Sequence, residues 1–283
     1  KVILTQYDNS LEFYQLNKIF KNKKIKFISF QGGIRTFKNM SHLKENFYID
    51  NYCGFSEYEK LFLQQNGLKA KNFISAGSLV SAAALEYFRK NKIDLKIEYD
   101  VCLISELISK IDNELDEKYL KMLESLSLLI KNLKDKKKFR LIICGAGGKN
   151  SETSKVEKLF YDKIFGENNY LIDQSDRKKF PSYKNICKSK MVVGVHSTLM
   201  REALGLKKKI LVYNFMQNTS YFFMFNDFFV VNEESNEKFK KKFDEIYNLS
   251  NEEYFSRIKN LNLYMENAYK TKSKLTNTLK IKR

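Results

Sequence analysis

The chain has 283 residues, enough for two α/β domains of ordinary size or one large one. Its 43% hydrophobic content supports packed cores and argues against general disorder. No apolar run approaches the ~20 residues of a membrane span. The net charge of +18 arises from lysines scattered along helix faces, in a Lys-, Asn-, Ile- and Phe-rich sequence with one Pro and no Trp. That pattern reads as a compositional bias; it suits an anionic substrate or an anionic membrane surface, and nucleic acid is set aside.

Cys53, Cys102, Cys144 and Cys187 are widely spaced with no CxxC pair, so free buried thiols are expected rather than disulfides or zinc. The two histidines add no ligand set, and no metal is expected. Nothing at the start reads as a signal peptide. The first residue is Lys1, which leads to the expectation that the numbering begins inside a longer protein or after processing. A cytoplasmic location follows, with peripheral contact to an anionic membrane as an option.

Short apolar runs alternate with longer amphipathic ones, the signature of parallel-sheet α/β architecture. In chain order, Val2–Leu4 reads as a strand, Leu11–Phe20 as a helix and Ile25–Phe30 as a strand closed by Gln31-Gly32-Gly33. Asn46–Asn51 reads as a strand, Glu57–Gln65 as a helix, Asn72–Ser75 as a strand and Ser81–Lys90 as a helix. A polar boundary near 91–97 separates this series from a second one. There, strands are expected at Asp100–Ile104, Arg140–Cys144, Tyr170–Ile172, Met191–Val195, Ile210–Tyr213 and Phe228–Val231. Helices are expected at Asp116–Leu133, Val156–Phe165, Tyr183–Cys187, Thr198–Leu204, Ser235–Leu249 and Asn251–Lys272, the last capped by Asn251. The expected domains are therefore 1–93 and 94–283. The first has only four strands and is expected to be incomplete, since a full Rossmann-like domain has about six.

The segment from Met191 to Asn214 carries the most chemistry. A buried strand ends at Gly194-Val195, and Ser197 stands where a helix N-cap belongs. The amides of Ser197, Thr198 and Leu199 then face the carboxyl edge of the sheet, where open α/β sheets bind ligands. A phosphate there would meet amides, two hydroxyls and the positive end of the helix dipole. Glu202 lies one turn further on the same face, placed to bridge the hydroxyls of a ribose. Asn214, after the next strand, reaches the same rim. Taken singly, Ser197 reads as a plain cap and Glu202 as an acid complementing the dipole; the whole sequence of features favours a binding site.

This segment resembles the S/T-x-x-x-E-A-x-x-x-G run of GT-B glycosyltransferases that build bacterial surface polysaccharides. Ile28-Ser-Phe-Gln31-Gly32-Gly33-Ile-Arg35-Thr is similar to the Q-x-G-x-R turn of surface carbohydrate biosynthesis transferases. It also resembles the H-x-E-A-G-L-R-T stretch of UDP-N-acetylglucosamine 2-epimerases and the W-H-G turn of teichoic-acid glycerophosphotransferases. Those last two families place an acid or His before the glycine, where this chain has Gln31, which accepts no proton at neutral pH. The resemblance implies two Rossmann-like domains with a cleft between them, the first for the acceptor and the second for the nucleotide-sugar. It also implies that the donor is a substrate rather than a cofactor.

The remaining candidates are weaker in sequence. Asp8 is the one acid at the carboxyl edge of the first strand, a candidate base for an acceptor hydroxyl or a cap for the helix from Leu11. Gln31 is paired with it as a catalytic candidate; Gly32 and Gly33 let backbone approach a ligand, and Arg35 contacts acceptor or sugar. Gly145, opening the Gly-Ala-Gly-Gly run, either cradles phosphate or forms a plain loop. Ser182 and Tyr183 match the region that meets the base in GT-B enzymes. His196 is expected to touch phosphate or sugar as a cation, and its likeness to sialyl- and Kdo-transferase motifs hints at a CMP-sugar. The expected activity is metal-independent transfer of a sugar from a nucleotide-sugar to a glycan or glycolipid acceptor. The rivals are a 2-epimerase-like isomerase and a non-catalytic sugar-nucleotide-binding subunit.

Overall fold

The computed structural model describes residues 1–35, 47–107, 111–148, 150–173, 177–216 and 225–279; Thr36 and Asn46 lie outside them. The chain divides into two compact units. The first comprises Lys1–Leu85 together with Asn260–Arg283, and the second Glu86–Lys259.

In chain order the first unit holds β1 (Val2–Thr5), α1 (Leu11–Ile19), β2 (Lys26–Phe30), β3 (Tyr48–Gly54), α2 (Glu57–Gln65) and β4 (Lys69–Ser75). Helix α3 (Leu79–Lys90) carries the chain across the division at residue 85. The four strands form a parallel sheet in the order β1-β2-β3-β4, with Ile3 opposite Phe27 and Cys53 opposite Ile74. Phe13 and Tyr14 of α1 and Phe62 and Leu63 of α2 bury against Phe27, Ile49 and Tyr52 of the sheet. Aromatic residues dominate this core because each removes a large apolar surface from water, at roughly 25 cal/mol per Å². Ser56 caps α2 and Glu59 closes a reciprocal capping box, which fixes where this helix starts.

The second unit holds β5 (Tyr99–Ile104), α4 (Glu114–Lys137), β6 (Leu141–Cys144), α5 (Glu152–Phe165), β7 (Leu171–Ile172), α6 (Pro181–Cys187), β8 (Ser189–Gly194), α7 (Thr198–Gly205), β9 (Lys209–Tyr213), β10 (Val230–Val231), α8 (Asn236–Asn248) and α9 (Asn251–Arg257). Its sheet is parallel, in the order β10-β9-β8-β5-β6-β7. Val101–Ile104, Leu141–Cys144, Met191–Val193 and Ile210–Val212 are all buried, as expected of strands covered on both faces. Leu123, Leu126, Ile130 and Leu133 form the buried stripe of α4, at the helical spacing seen in the sequence. From β5 the chain runs outward through β6 to β7 and then returns to β8 on the other side of β5. The strand order therefore reverses between β5 and β8. The carboxyl ends of those two strands are where an open α/β sheet leaves a crevice for a ligand.

After Lys259 the chain rejoins the first unit with α10 (Leu261–Tyr264) and α11 (Thr271–Leu279). The resemblance to GT-B enzymes implies that the last helix crosses back to the first domain, as it does here, whereas the domain bounds 94–283 expected from sequence leave it with the second. The Glu266 amide donates to the Phe55 carbonyl at 2.9 Å, Ser56 Oγ donates to the Leu263 carbonyl at 2.8 Å, and Ser75 Oγ donates to Glu266 at 3.1 Å. The expected continuous helix from Asn251 to Lys272 is also broken. Asn260 takes a left-handed φ of 58°, which Asn tolerates better than most residues, and the helix axis cannot continue through it. Ser250, rather than Asn251, caps α9, with Glu253 completing the box.

All four cysteines are buried and free, with the Cys102 and Cys144 thiols 3.3 Å apart. No helix among the described residues is long and apolar enough to cross a membrane.

Candidate functional site

The loops at the carboxyl edge of the first sheet converge on Asp8, whose side chain has no exposed surface. Its carboxylate accepts from Arg35 Nε at 2.8 Å, from the Tyr52 hydroxyl at 2.7 Å and from the Gly32 amide at 2.9 Å; a second, shorter ion pair comes from Arg35 Nη2. Burial and the neighbouring Asp8 carboxylate push the Tyr52 phenol well above its usual range, so it stays a donor. Asp8 thus has its lone pairs committed and works as the anchor of the turn. It does not cap α1, because Ser10 does. Gln31 is equally committed: its amide donates to the Gly33 carbonyl at 2.9 Å and to Glu59 at 3.3 Å, and its oxygen accepts from the Phe55 amide at 2.8 Å. Arg35 is spent on Asp8, with 13% of its side chain exposed. What the turn presents outward is backbone. Gly32 is exposed, and a Cβ there would lie 2.7 Å from the Gln6 carbonyl, so only glycine permits this approach of the two loops.

In the second unit, β8 delivers the chain to α7 at the reversal of strand order. Ser197 is the N-cap as expected, its hydroxyl accepting from the Leu199 amide at 3.3 Å. A Cβ on Gly194 would lie 2.7 Å from Met200 Sδ, so the glycine lets α7 pack directly on the strand end. Glu202 is 4% exposed and accepts from the Tyr183 hydroxyl on α6 at 2.9 Å. Pro181 opens α6 at its first turn, where its missing N–H costs nothing, and this sets Tyr183 facing α7. Asn214 plays a bracing part: its amide donates to the Val195 carbonyl and its oxygen accepts from the Met216 amide, each at 3.0 Å. Burial lowers the His196 pKa to about 4, so the imidazole is neutral at pH 7 and not the cation expected from sequence.

An internal acid holds the amides of the Gly145 loop that sequence reasoning reserved for phosphate. Glu157, wholly buried on α5, accepts from the Ala146 amide at 2.8 Å, the Gly147 amide at 3.0 Å and Ser105 Oγ at 2.5 Å. The loop opened by Gly145 is therefore a nest closed by its own carboxylate, not a phosphate cradle. Ser182 lies beside it, its carbonyl 3.7 Å from the Cys144 thiol. Glu106 follows β5 and accepts from the Tyr119 hydroxyl at 2.9 Å. The Ser197 hydroxyl and the backbone amides of His196 and Ser197 lie near enough to lower its pKa. Burial raises the Glu106 pKa against the lowering effect of these donors.

The structure thus gathers Tyr183, His196, Ser197, Thr198 and Glu202 around the start of α7, with Glu106 seated among them. Glu106 was missed because its place beside Ser197 depends on β5 and β8 being neighbours, and strand order is not written in local sequence. Among the described residues, no group of three or more His, Cys, Asp or Glu side chains is placed to hold a metal ion.

Known structures share this fold at low sequence identity. UDP-GlcNAc 2-epimerase from Methanocaldococcus jannaschii matches 98% of this chain and 77% of its own, with TM-score 0.60 and 16% identity. UDP-GlcNAc 2-epimerase from Neisseria meningitidis, solved with UDP-GlcNAc bound, matches 99% of this chain and 75% of its own, with TM-score 0.59 and 15% identity. The S. aureus MnaA–UDP co-structure matches 99% and 74%, with TM-score 0.58 and 12% identity. The architecture is accordingly that of the GT-B-like α/β proteins, built from Rossmann-like units. No curated protein matches the sequence significantly. The family described as "putative O-antigen biosynthesis protein" matches residues 68–282, which include α6, α7 and the whole second unit. The chain belongs to that O-antigen biosynthesis family.

Proposed function

We propose that the chain is a sugar-nucleotide enzyme of surface-polysaccharide assembly, a glycosyltransferase moving a sugar from a nucleotide-sugar donor to a polysaccharide or glycolipid acceptor. The observation that carries this reading is the Tyr183–Glu202 pair, one turn into α7 at the reversal of strand order. A carboxylate in that place accepts both hydroxyls of a ribose, as acidic residues do in dinucleotide folds. Tyr183 orients the carboxylate and offers a ring edge or face to the base. Membership of an O-antigen biosynthesis family supports the polysaccharide side of the reading. Lys21, Lys24, Lys26, Lys69 and Lys71 rim a concave face of the first unit, which suits an anionic membrane bearing a glycolipid acceptor. In the first unit, Asp8 and Arg35 act as positioning residues that hold the Gln31–Gly33 turn toward sugar or acceptor.

The test is a thermal-shift and calorimetric comparison of UDP, CMP, GDP and CDP. One of the four is expected to stabilise the protein, and stabilisation by none would remove the donor-site reading.

A second reading is sugar-nucleotide 2-epimerisation, favoured by the fold shared with several UDP-GlcNAc 2-epimerases. Incubation with UDP-GlcNAc separates the two. Inversion at C2 of the intact sugar nucleotide supports the epimerase, whereas slow release of UDP without inversion supports the transferase. Gln31, which exchanges no proton and whose amide is committed internally, weighs toward the transferase.

A further inference from the structure

The C-terminal strap, from Asn260 onward, and the Gln31–Gly33 turn hold one residue between them. The Phe55 amide donates to Gln31 Oε1 at 2.8 Å, and the Phe55 carbonyl accepts from the Glu266 amide at 2.9 Å. Beside it, Ser56 and Glu59 close the capping box of α2, and both reach beyond that box. Ser56 Oγ stands 2.8 Å from the Leu263 carbonyl of the strap and 2.7 Å from Glu59 Oε2. Glu59 Oε1 accepts from Gln31 Nε2 at 3.3 Å, and the same nitrogen donates to the Gly33 carbonyl at 2.9 Å. A run of hydrogen bonds thus leads from Leu263 through Ser56, Glu59 and Gln31 to Gly33, all inside the first unit. Capping α2 requires only the box; the bonds to Leu263 and Gln31 are additional.

We infer that the C-terminal strap positions the Gln31–Gly33 turn, with Ser56 and Glu59 as the positioning residues that connect them. The Ser56 hydroxyl has one proton and two acceptors in reach, Leu263 and Glu59, so it divides its donation between strap and carboxylate. Without the strap the whole donation falls on Glu59 Oε2, which already takes the Ser56 amide at 2.8 Å. Charge is then drawn toward Oε2, and the hold of Oε1 on Gln31 weakens. Phe55 loses its carbonyl partner at the same time, and its amide is the donor that fixes Gln31 Oε1. Ser56, Glu59, Gln31 and Phe55 are all buried, so a change in one bond is felt at the next. The part of the turn in catalysis rests on the function proposed above; its connection to the strap does not.

The experiment is NMR on the full chain labelled with [15N]glutamine, the Gln31 side-chain amide being assigned by its loss in Gln31→Met. Ser56→Gly removes the hydroxyl but keeps a residue that helix N-caps accept nearly as well as serine. It is expected to shift the Gln31 side-chain resonances and to speed their exchange with solvent at least tenfold. Ser56→Thr, which restores a hydroxyl, is expected to return both to wild-type values. Glu59→Gln breaks the run from its other end, is expected to act as Ser56→Gly does, and serves if that variant fails to fold. In parallel, release of UDP from UDP-GlcNAc, or of nucleotide from the donor that the survey selects, is expected to fall about tenfold in kcat in Ser56→Gly, with KM changed less than twofold. Wild-type Gln31 resonances and exchange in both variants overturn the inference and leave Ser56 and Glu59 as a helix cap. Shifted resonances with unchanged turnover uphold the connection and remove the turn from the reaction. A wild type that turns over no nucleotide-sugar removes the proposed function, while the resonances still decide the connection.

Discussion

The hydroxyl of Tyr183 donates to the carboxylate of Glu202 at 2.9 Å, joining α6 to α7 across the rim of the second sheet. If this pair holds the ribose, Glu202→Ala should weaken nucleotide binding by ~1–3 kcal/mol and Tyr183→Phe by about 1 kcal/mol. Titration calorimetry against the preferred nucleotide and its 2′-deoxy analogue checks this. The deoxy analogue should be nearly blind to Glu202→Ala, and equal sensitivity of both ligands would assign the pair to fold stability alone.

Asp8 and Arg35 form a buried ion pair whose partners cannot be removed singly without leaving an uncompensated charge. Asp8→Asn should lower the stability of the first unit by ~3 kcal/mol, and Tyr52→Phe by about 1 kcal/mol. Chemical denaturation followed by tyrosine fluorescence gives the values. A neutral Asp8→Asn with reduced turnover would reinstate Asp8 as a base.

His196 has a folded pKa of about 4 against an ordinary value of 6.5, because burial disfavours the imidazolium. The unfolded chain therefore binds a proton before the folded one does. The contribution of His196 is fully present above pH 6.5 and is lost as pH falls toward 4, a decline of ~1–2 kcal/mol after allowance for its partial exposure. Denaturation midpoints across this range should show the slope in the wild type and a flatter profile in His196→Gln. Parallel profiles would place the imidazole in solvent.

Gly32→Ala puts a methyl 2.7 Å from the Gln6 carbonyl, a backbone atom that cannot rotate aside. A loss of ~1–3 kcal/mol is expected from the forced separation of the two loops. Gly67→Ala supplies the comparison, since a Cβ there meets nothing but carries the strain of φ 69°. Thermal melts showing Gly32→Ala to be harmless would mean that the loops part freely.

The second unit was the more legible in sequence, for physical reasons. Its strands are covered on both faces, so they read as continuous apolar runs, and Ser197 and Glu202 owe their places to one helix whose period is fixed. Spacing along a helix is local information. Glu106, Glu157 and Tyr52 are different, because each acts on a residue brought near by strand pairing or by packing between distant elements. The Gly145 loop looked like a cradle since its own filler, Glu157, lies ten residues beyond Gly147 on α5, beyond the reach of motif reading. The break at Asn260 was hidden for another reason: Asn, though a weak helix former, occurs in helices as well as in left-handed turns, so the residue type alone does not announce which it adopts.

The return of the chain to the first unit at Asn260 has a consequence for how the molecule is made. Ser56 bonds to the carbonyl of Leu263, 207 positions later, and Ser75 to Glu266 across 191. During synthesis, residues 86–259 emerge and can close their sheet while residues 1–85 still lack the strap that covers Phe55 and Ser75. The earlier of the two units is completed after the later one. At roughly 5–20 residues per second, the early segment spends on the order of ten seconds or more with that surface open, a window in which chaperones or premature association act on it.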